Sequence, residues 1–119
     1  MDTQLINRLQ DTHLAIWNEK DRTRRDAMMP AIYAADIRMY DKDFTLTGTE
    51  AISDFIDKLF ADDANFTFKA ETAIVNTQHG ARLFWTIQTG PQPNVLTGMD
   101  FFIVENEKIA HLFVFMDPQ

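Results

Sequence analysis

The chain has 119 residues, the usual length of one domain, and no linker or repeat divides it, so we expect a single domain over residues 1–119. Hydrophobic residues make up 45% of the chain, which is enough for a packed core, and 18 acidic against 11 basic residues give a net charge of −7. Such a surface repels nucleic-acid phosphates and anionic membranes, so neither is expected as a partner.

Cysteine is absent, which excludes disulfides and thiolate nucleophiles. No stretch approaches the ~20 apolar residues that a membrane-spanning helix needs. The N-terminus lacks the basic start and the apolar run of a signal peptide. These features favour a cytoplasmic location.

Residues 3–19 are predicted to form an amphipathic helix that is capped by Asp2 or Thr3. Its apolar stripe, at spacings of three and four, consists of Leu5, Ile6, Leu9, His13, Ile16 and Trp17. His13 is the unusual member, because an imidazole is costly to bury without a partner. It either bonds a backbone carbonyl in the core or belongs to a pocket, and the residues leave both open.

A second helix is predicted over residues 22–34, with Pro30 kinking or splitting it. The basic cluster at its start is interpreted as a solvated face that pairs with nearby aspartates. The cluster consists of Arg22, Arg24 and Arg25, and the aspartates are Asp21 and Asp26. A short strand over residues 37–41 is expected next, with Asp41 closing it.

A third helix is predicted from Thr47 or Thr49 to about Asp62, with an apolar face made of Ile52, Phe55, Ile56, Leu59 and Phe60. From Phe66 the apolar period drops to two, which predicts a long strand over 66–75. A turn over 76–80 with an exposed His79 and a strand over 81–89 follow. A rigid loop is expected over 90–94.

The last segment, residues 95–117, is predicted to be a β-hairpin with a two-residue turn at Asn106-Glu107. Counting outward from that turn pairs Phe102 with His111, which places His111 on the same face as Asp100. A single bulge after the turn would separate the two. Both faces are apolar, so helices are expected over one and a second copy of the chain, in a homodimer, over the other.

Three stretches carry a resemblance to a known superfamily: residues 32–41 (IYAADIRMYD), 47–52 (TGTEAI) and 98–109 (GMDFFIVENEKI). They resemble the nuclear transport factor 2-like superfamily, in its polyketide-cyclase-like and ketosteroid-isomerase-like branch, over nearly the whole chain. The resemblance implies an α+β fold in which three helices from the N-terminal half wrap a cone-shaped, curved, mixed or antiparallel β-sheet. This fold hosts many activities, so the resemblance alone specifies no function.

The resemblance also implies roles for single residues. Asp41 falls at the position of the general base of ketosteroid isomerases, Asp100 at that of the protonated acid in their oxyanion hole, and His13 near that of the oxyanion-hole tyrosine. Lys42 stands where that family usually has proline, and Glu107 where it has the turn glycine. The chain is therefore not identified as a steroid isomerase.

In such a site a buried carboxylate removes a proton beside a carbonyl, and a neutral carboxylic acid donates to the enolate, as in ketosteroid isomerase. Asp41 would be the base and Asp100 the acid, with His13 or His111 as a second donor. The walls of a pocket for a mostly apolar ligand are predicted to be Trp17, Tyr33, Phe55, Phe60, Trp85, Phe102 and Phe113. No metal-ligand spacing and no Gly-rich phosphate loop occur, so neither a metal nor a cofactor is expected.

Three functions remain open at this point. The chain could be a cofactor-free isomerase, cyclase or dehydratase, which requires the carboxylates and a histidine to converge in one concave site. It could instead bind an apolar ligand without catalysis. It could also be a dimerisation module whose cavity is filled by its own side chains.

Overall fold

A computed structural model describes residues 1–88 and 95–118, without the side chain of Val95. The loop predicted over 90–94 and the last residue of the strand predicted over 81–89 lie outside this part of the chain. Three α-helices are present: α1 (Thr3–Asn18), α2 (Arg22–Met28) and α3 (Thr49–Asp62). The strands are β1 (Tyr33–Tyr40), β2 (Thr45–Thr47), β3 (Thr67–Ala70), β4 (Val75–Asn76), β5 (Gly80–Gln88), β6 (Val95–Glu105) and β7 (Lys108–Met116). None of the helices in the described ranges is long and apolar enough to cross a membrane.

The strands form one mixed sheet in the order β2-β1-β7-β6-β5-β3, with β4 also paired to β5. β1 and β7 run parallel and the other pairs are antiparallel. The inner face of the sheet packs against the helices, and the predicted class, an α+β cone with three helices around a curved sheet, is confirmed.

Helix α1 follows its predicted pattern. The Asp2 carboxylate caps it by accepting from the backbone N–H groups of Gln4 and Leu5. All six residues of the predicted stripe are buried, and Leu9, His13 and Ile16 are fully buried. The stripe therefore carries an imidazole into the core of the protein.

The second predicted helix is shorter than expected. Helix α2 ends at Met28 and a single 3-10 turn, Met29–Ala31, follows, so Pro30 splits the helix as predicted. Tyr33 and Ala34, which the helical pattern includes, instead begin β1, because parallel pairing with β7 starts at Tyr33 opposite Ile109. A long-range partner has outweighed the local helical pattern.

The strand predicted over 66–75 is two strands. Ala70 pairs with Trp85 and Val75 pairs with Arg82. The chain therefore advances five residues from β3 to β4 (75 − 70) while the paired strand β5 advances only three (85 − 82). The surplus residues leave the ladder and separate β3 from β4. The alternating pattern continues through this break, which is why the sequence predicts one strand.

The hairpin has the predicted turn but not the predicted register. Asn106 and Glu107 both have positive φ, 54° and 64°, as a two-residue turn of the primed type requires. Val104 pairs with Ile109 as expected, but the register then shifts and His111 pairs with Ile103 instead of Phe102. The shift is the bulge that separates His111 from Asp100.

The basic cluster of α2 is solvated only in part. Arg22 is partly exposed and pairs with Asp26, Asp54 and Asp57, all of which are also solvent-accessible. Arg25, in contrast, is fully buried, so its predicted exposure is wrong. Its guanidinium donates to Ser53 Oγ at 2.9 Å, to the Glu19 carbonyl at 2.9 Å and to the Asp57 carboxylate. These bonds satisfy the buried charge and fasten α2 to α3.

The Arg25–Asp57 pair predicts a pH-dependent stability. The hydrogen bond from Arg25, followed by that from Arg22, holds the pKa of the Asp57 carboxyl below its ordinary value. A carboxyl whose pKa is lowered by folding stabilises the native state above its unfolded pKa and loses that effect as pH falls through its folded pKa. We expect Asp57→Asn to lower stability by about 1 kcal/mol at pH 7, since solvent screens this partly exposed carboxylate, and to flatten the loss of stability below about pH 4 in denaturant titrations from pH 2 to 7.

Asp54→Asn is the matched control, because the exposed Asp54 carboxylate pairs only with the partly exposed Arg22. It should leave both the stability and its pH dependence unchanged. Equal effects of the two substitutions would mean that the buried Arg25 contact contributes nothing beyond a surface ion pair.

Candidate functional site

A cavity of about 230 Å³ lies between the inner face of the sheet and helices α1 and α3. Its described lining is mostly apolar and aromatic, and consists of Trp17, Met39, Asp41, Phe55, Leu59, Asp62, Asp63, Phe66, Phe68, Trp85, Ile87, Leu96, Asp100, Val114 and Met116. Exposed Asp62 and Met116 mark the mouth, whereas buried Trp17, Trp85 and Asp100 mark the base. The volume suits a compact ligand, somewhat smaller than a typical drug-sized one.

Asp100 is the polar group at the base of this cavity. It lies on β6 with its side chain inward and is only 3% exposed. Its Oδ1 accepts a hydrogen bond from Trp85 Nε1 at 2.9 Å, and its Oδ2 lies 2.9 Å from His13 Nε2. Each carboxylate oxygen therefore has a partner, as a buried charge requires.

The position of the Trp85 indole over β6, which we call its seat, depends on a glycine. Gly98 on β6 is the cross-strand partner of Trp85 on β5, two residues before Asp100. A Cβ atom at Gly98 would lie 2.4 Å from the Trp85 ring and 2.4 Å from the Phe115 carbonyl oxygen. Only glycine leaves room for the indole to lie across β6 with its N–H on Asp100, which gives a physical reason for the Gly98-Met99-Asp100 stretch.

The proton positions at His13 follow from its neighbours. Trp17 Nε1, which can only donate, donates to Tyr33 Oη at 3.1 Å. Tyr33 then needs an acceptor for its own proton, and His13 Nδ1 lies 2.5 Å away. We therefore assign the ring proton to Nε2, from which it is donated to Asp100. The network runs from Trp17 through Tyr33 and His13 to Asp100, and every polar atom in it has a partner.

Tyr33 acts only as a neutral hydroxyl within this network. Burial raises the pKa of its phenol far above the ordinary value, and the negative charge of Asp100 raises the pKa further, whereas the bond from Trp17 opposes this. The phenol therefore keeps its proton and remains a donor to His13. This arrangement leaves Asp100 as an acceptor from two N–H groups.

The structure brings together several of the predicted site residues. His13 and Asp100 are directly bonded, and Tyr33 lies behind His13, away from the cavity. Trp17, Phe55 and Trp85 line the cavity. Asp41 lines it near the mouth, half-buried, with its Oδ1 accepting the backbone N–H of Lys42 at 2.6 Å.

Other predicted site residues lie elsewhere. His111 faces away from the cavity on the outer face of the sheet, where its Nδ1 is 3.0 Å from Tyr40 Oη, so it cannot assist Asp100. Phe113 lies on the same outer face, where its ring stacks on that of Tyr40 with the two ring centroids 4.5 Å apart. Phe102 is fully buried against His13, and Phe60 packs on Phe66 without lining the cavity.

Some features of the cavity are not predicted by the sequence. Phe66 and Phe68 form one wall, and their alternation in the strand pattern is the available signal. Asp62 and Asp63, which the pattern marks only as the end of α3, lie at the mouth. The bond from Trp85 to Asp100 can be suspected only with the strand register in hand.

A cone of three helices and a curved mixed sheet around such a cavity defines the nuclear transport factor 2-like class of folds. The sequence profile of the SnoaL-like domain matches residues 11–112, so the chain belongs to the SnoaL-like family. No curated protein sequence matches the chain.

Solved structures agree on the fold at low sequence identity. A protein from Agrobacterium tumefaciens assigned as an isomerase of the SnoaL-like family is 21% identical, with a TM-score of 0.87 over 98% of this chain and 100% of that one. A protein from Kribbella flavida assigned as a ketosteroid isomerase is 16% identical, with a TM-score of 0.75 over 99% of this chain and 82% of that one. A protein from Jannaschia assigned as a SnoaL-like polyketide cyclase is 11% identical, with a TM-score of 0.74 over 98% of this chain and 90% of that one.

Proposed function

We propose that the protein binds a compact, mostly apolar small molecule in this cavity and transfers a proton on it without a cofactor, as isomerases, cyclases and dehydratases do. The observation that carries the proposal is the buried Asp100 carboxylate at the base of an aromatic cavity, held by His13 and Trp85. The two hydrogen bonds fix the orientation of the carboxylate, and each oxygen keeps a second lone pair with which it can take a proton from a ligand. The absence of cysteine agrees with a cytoplasmic location.

The contacts of Asp100 support the role of base rather than that of acid. Both of its oxygens accept from N–H groups, so the resting group has no proton to donate. Asp41, near the mouth, is one of three further carboxylates that line the cavity, and it can return a proton to the ligand after taking one from solvent. This exchanges the two roles that the resemblance implied.

The base can be tested with a neutral two-ring probe, 5-nitrobenzisoxazole, whose ring C–H a base removes as the N–O bond breaks to give a coloured phenolate. We expect the protein to accelerate this reaction over free acetate, and Asp100→Asn to lower the rate by about 10²-fold or more. Asp11→Asn, which changes an exposed carboxylate on α1 outside the cavity, is the control. An Asp100→Asn rate equal to that of the unsubstituted protein would exclude Asp100 as the base.

We further propose that the outer face of the sheet binds a second copy of the chain. Aromatic groups cover it, with Phe84 39% and Phe115 55% exposed. Over the three long strands β5, β6 and β7, and between their ends, the described residues of this face include no carboxylate, although the chain has 18 acidic residues. They are Arg82, Phe84, Thr86, Gln88, Thr97, Met99, Phe101, Ile103, His111, Phe113 and Phe115. Depletion of charge over an aromatic patch is typical of an interface core.

Light scattering coupled to size exclusion should give twice the chain mass of 13.8 kDa. The double substitution Phe84→Glu and Phe115→Glu should give the monomer mass, because charge would then have to be buried on both sides of the interface. Phe44→Glu, an exposed aromatic outside this face, should leave the dimer intact. A monomer in the unsubstituted protein at about 100 μM, a concentration at which a specific dimer forms, would contradict the proposal.

A further inference from the structure

The side chains that line the cavity offer more hydrogen-bond acceptors than donors. Among its described lining residues the only side chains with N–H or O–H donors are Trp17 and Trp85, and each indole N–H is already bonded, to Tyr33 and to Asp100. Acceptors, in contrast, are abundant, since four carboxylates line the cavity: Asp41, Asp62, Asp63 and Asp100. A ligand therefore meets acceptors and apolar walls, and finds no free side-chain donor there.

The charges of the lining residues also favour a ligand that donates hydrogen bonds. No Lys, Arg or His belongs to the described lining, so no positive charge in the lining offsets the negative charge of the carboxylates. Asp62 and Asp63 also stand at the C-terminal end of α3, whose last turn has no basic residue. The helix dipole makes that end negative, where Lys or Arg is favoured, so two aspartates there work against helix stability. Departures from local stability rules are concentrated at functional sites.

The walls accept a cation as well. Trp17, Phe55, Phe66, Phe68 and Trp85 present five aromatic rings to the cavity, and the face of an aromatic ring attracts a positive charge. An anionic ligand would lose its hydration without gaining a donor, which is costly in an apolar site.

From this inventory we infer that the cavity selects ligands that carry a protonated amine, accepts neutral hydrogen-bond donors more weakly and rejects carboxylates and phosphates. The inference names the ligand class of the site proposed above and rests on that proposal. It also fits proton removal by Asp100. When the base takes a proton from a cationic ligand, the electron pair of the broken bond stays on the ligand and its net charge falls to zero, so the cavity does not have to hold a ligand with a net negative charge.

Three probes of one shape test the inference: 2-naphthylmethylamine, 2-naphthol and 2-naphthoate. The chain has only two tryptophans and both line the cavity, so their two indole ¹H–¹⁵N signals report binding directly. We expect the amine to bind about 10-fold more tightly than the naphthoate at about 50 mM salt, with naphthol between them. The ratio of amine affinity to naphthoate affinity should decrease at about 0.5 M salt, because salt screens the carboxylates at the mouth of the cavity.

The double substitution Asp62→Asn and Asp63→Asn removes two rim charges. The amide oxygen that it introduces at position 63 can still accept the backbone N–H of Asn65, as the Asp63 carboxylate does. The change should reduce the amine-to-naphthoate ratio about 3-fold or more, whereas Asp11→Asn should leave it unchanged. Two results would overturn the selection by charge and leave the ligand site in place. One is naphthoate binding as tightly as the amine or more tightly, and the other is an amine-to-naphthoate affinity ratio that the rim substitutions do not change. Failure of all three probes to move the indole signals would overturn the ligand site and the inference together.

Discussion

Replacing Gly98 with alanine is expected to destabilise the protein by about 2 to 3 kcal/mol and to detach Trp85 from Asp100. The new methyl group would have to share space with the Trp85 ring and with the Phe115 carbonyl, each 2.4 Å away. The carbonyl belongs to the paired strand β7 and cannot withdraw without opening the ladder, so the indole must tilt. The 2.9 Å bond from its Nε1 to Asp100 then lengthens beyond hydrogen-bond reach.

Denaturant titration measures the loss of stability, and the indole ¹H–¹⁵N signal of Trp85 measures the loss of its bond to Asp100. Gly80→Ala is the matched control on the neighbouring strand β5. Its Cβ atom would lie 2.9 Å from the tip of the Phe101 ring, a partly exposed side chain that can move aside. The control should cost well under half as much. A Gly98→Ala variant with wild-type stability and an unshifted Trp85 signal would show that the seat of the indole is not constrained by this glycine.

The pairing of His13 with Asp100 was within reach of the sequence because both residues break a strong pattern. An imidazole in an apolar helical stripe and a carboxylate in an apolar strand each need a buried partner. The resemblance to a known fold then placed both near one cavity. What it could not supply was the direction of the hydrogen bonds, which depends on Tyr33 and Trp17 lying behind His13.

The placement of His111 and Arg25 was beyond the sequence, for two different reasons. The bulge next to Ile109 reverses the face of His111, and because residues on both faces of β7 are apolar, no local pattern distinguishes the two registers. Arg25 is predicted to be solvated like its neighbours, since a buried guanidinium is justified only by partners on a distant helix. Those partners, Ser53 and Asp57, lie 28 and 32 residues further along the chain.

Replacing His13 with leucine is expected to cost about 3 to 5 kcal/mol, the largest loss of stability among the substitutions of the Asp100 network. The change removes the donor from Oδ2 of a carboxylate that is 3% exposed, and it leaves the buried Tyr33 hydroxyl without an acceptor. Both groups lose the partners that replaced water when the chain folded, and neither can reach solvent.

Asp100→Leu and the double variant His13→Leu/Asp100→Leu complete the comparison. Asp100→Leu alone leaves two donors, His13 Nε2 and Trp85 Nε1, without an acceptor, so it should also be destabilising. The double variant buries no carboxylate and no imidazole. Because an apolar pair of similar volume often replaces a buried hydrogen-bonded polar pair at little cost, the double variant should be more stable than the sum of the single losses predicts, by about 1 to 3 kcal/mol.

Denaturant titrations of the four proteins at pH 7 give this coupling free energy directly. A positive coupling would show that the two residues stabilise each other across the base of the cavity, as their 2.9 Å separation requires. Additive losses would mean that each side chain is satisfied independently of the other. In that case His13 would not hold the Asp100 carboxylate in place, and the orientation of the proposed base would depend on Trp85 and its seat over Gly98.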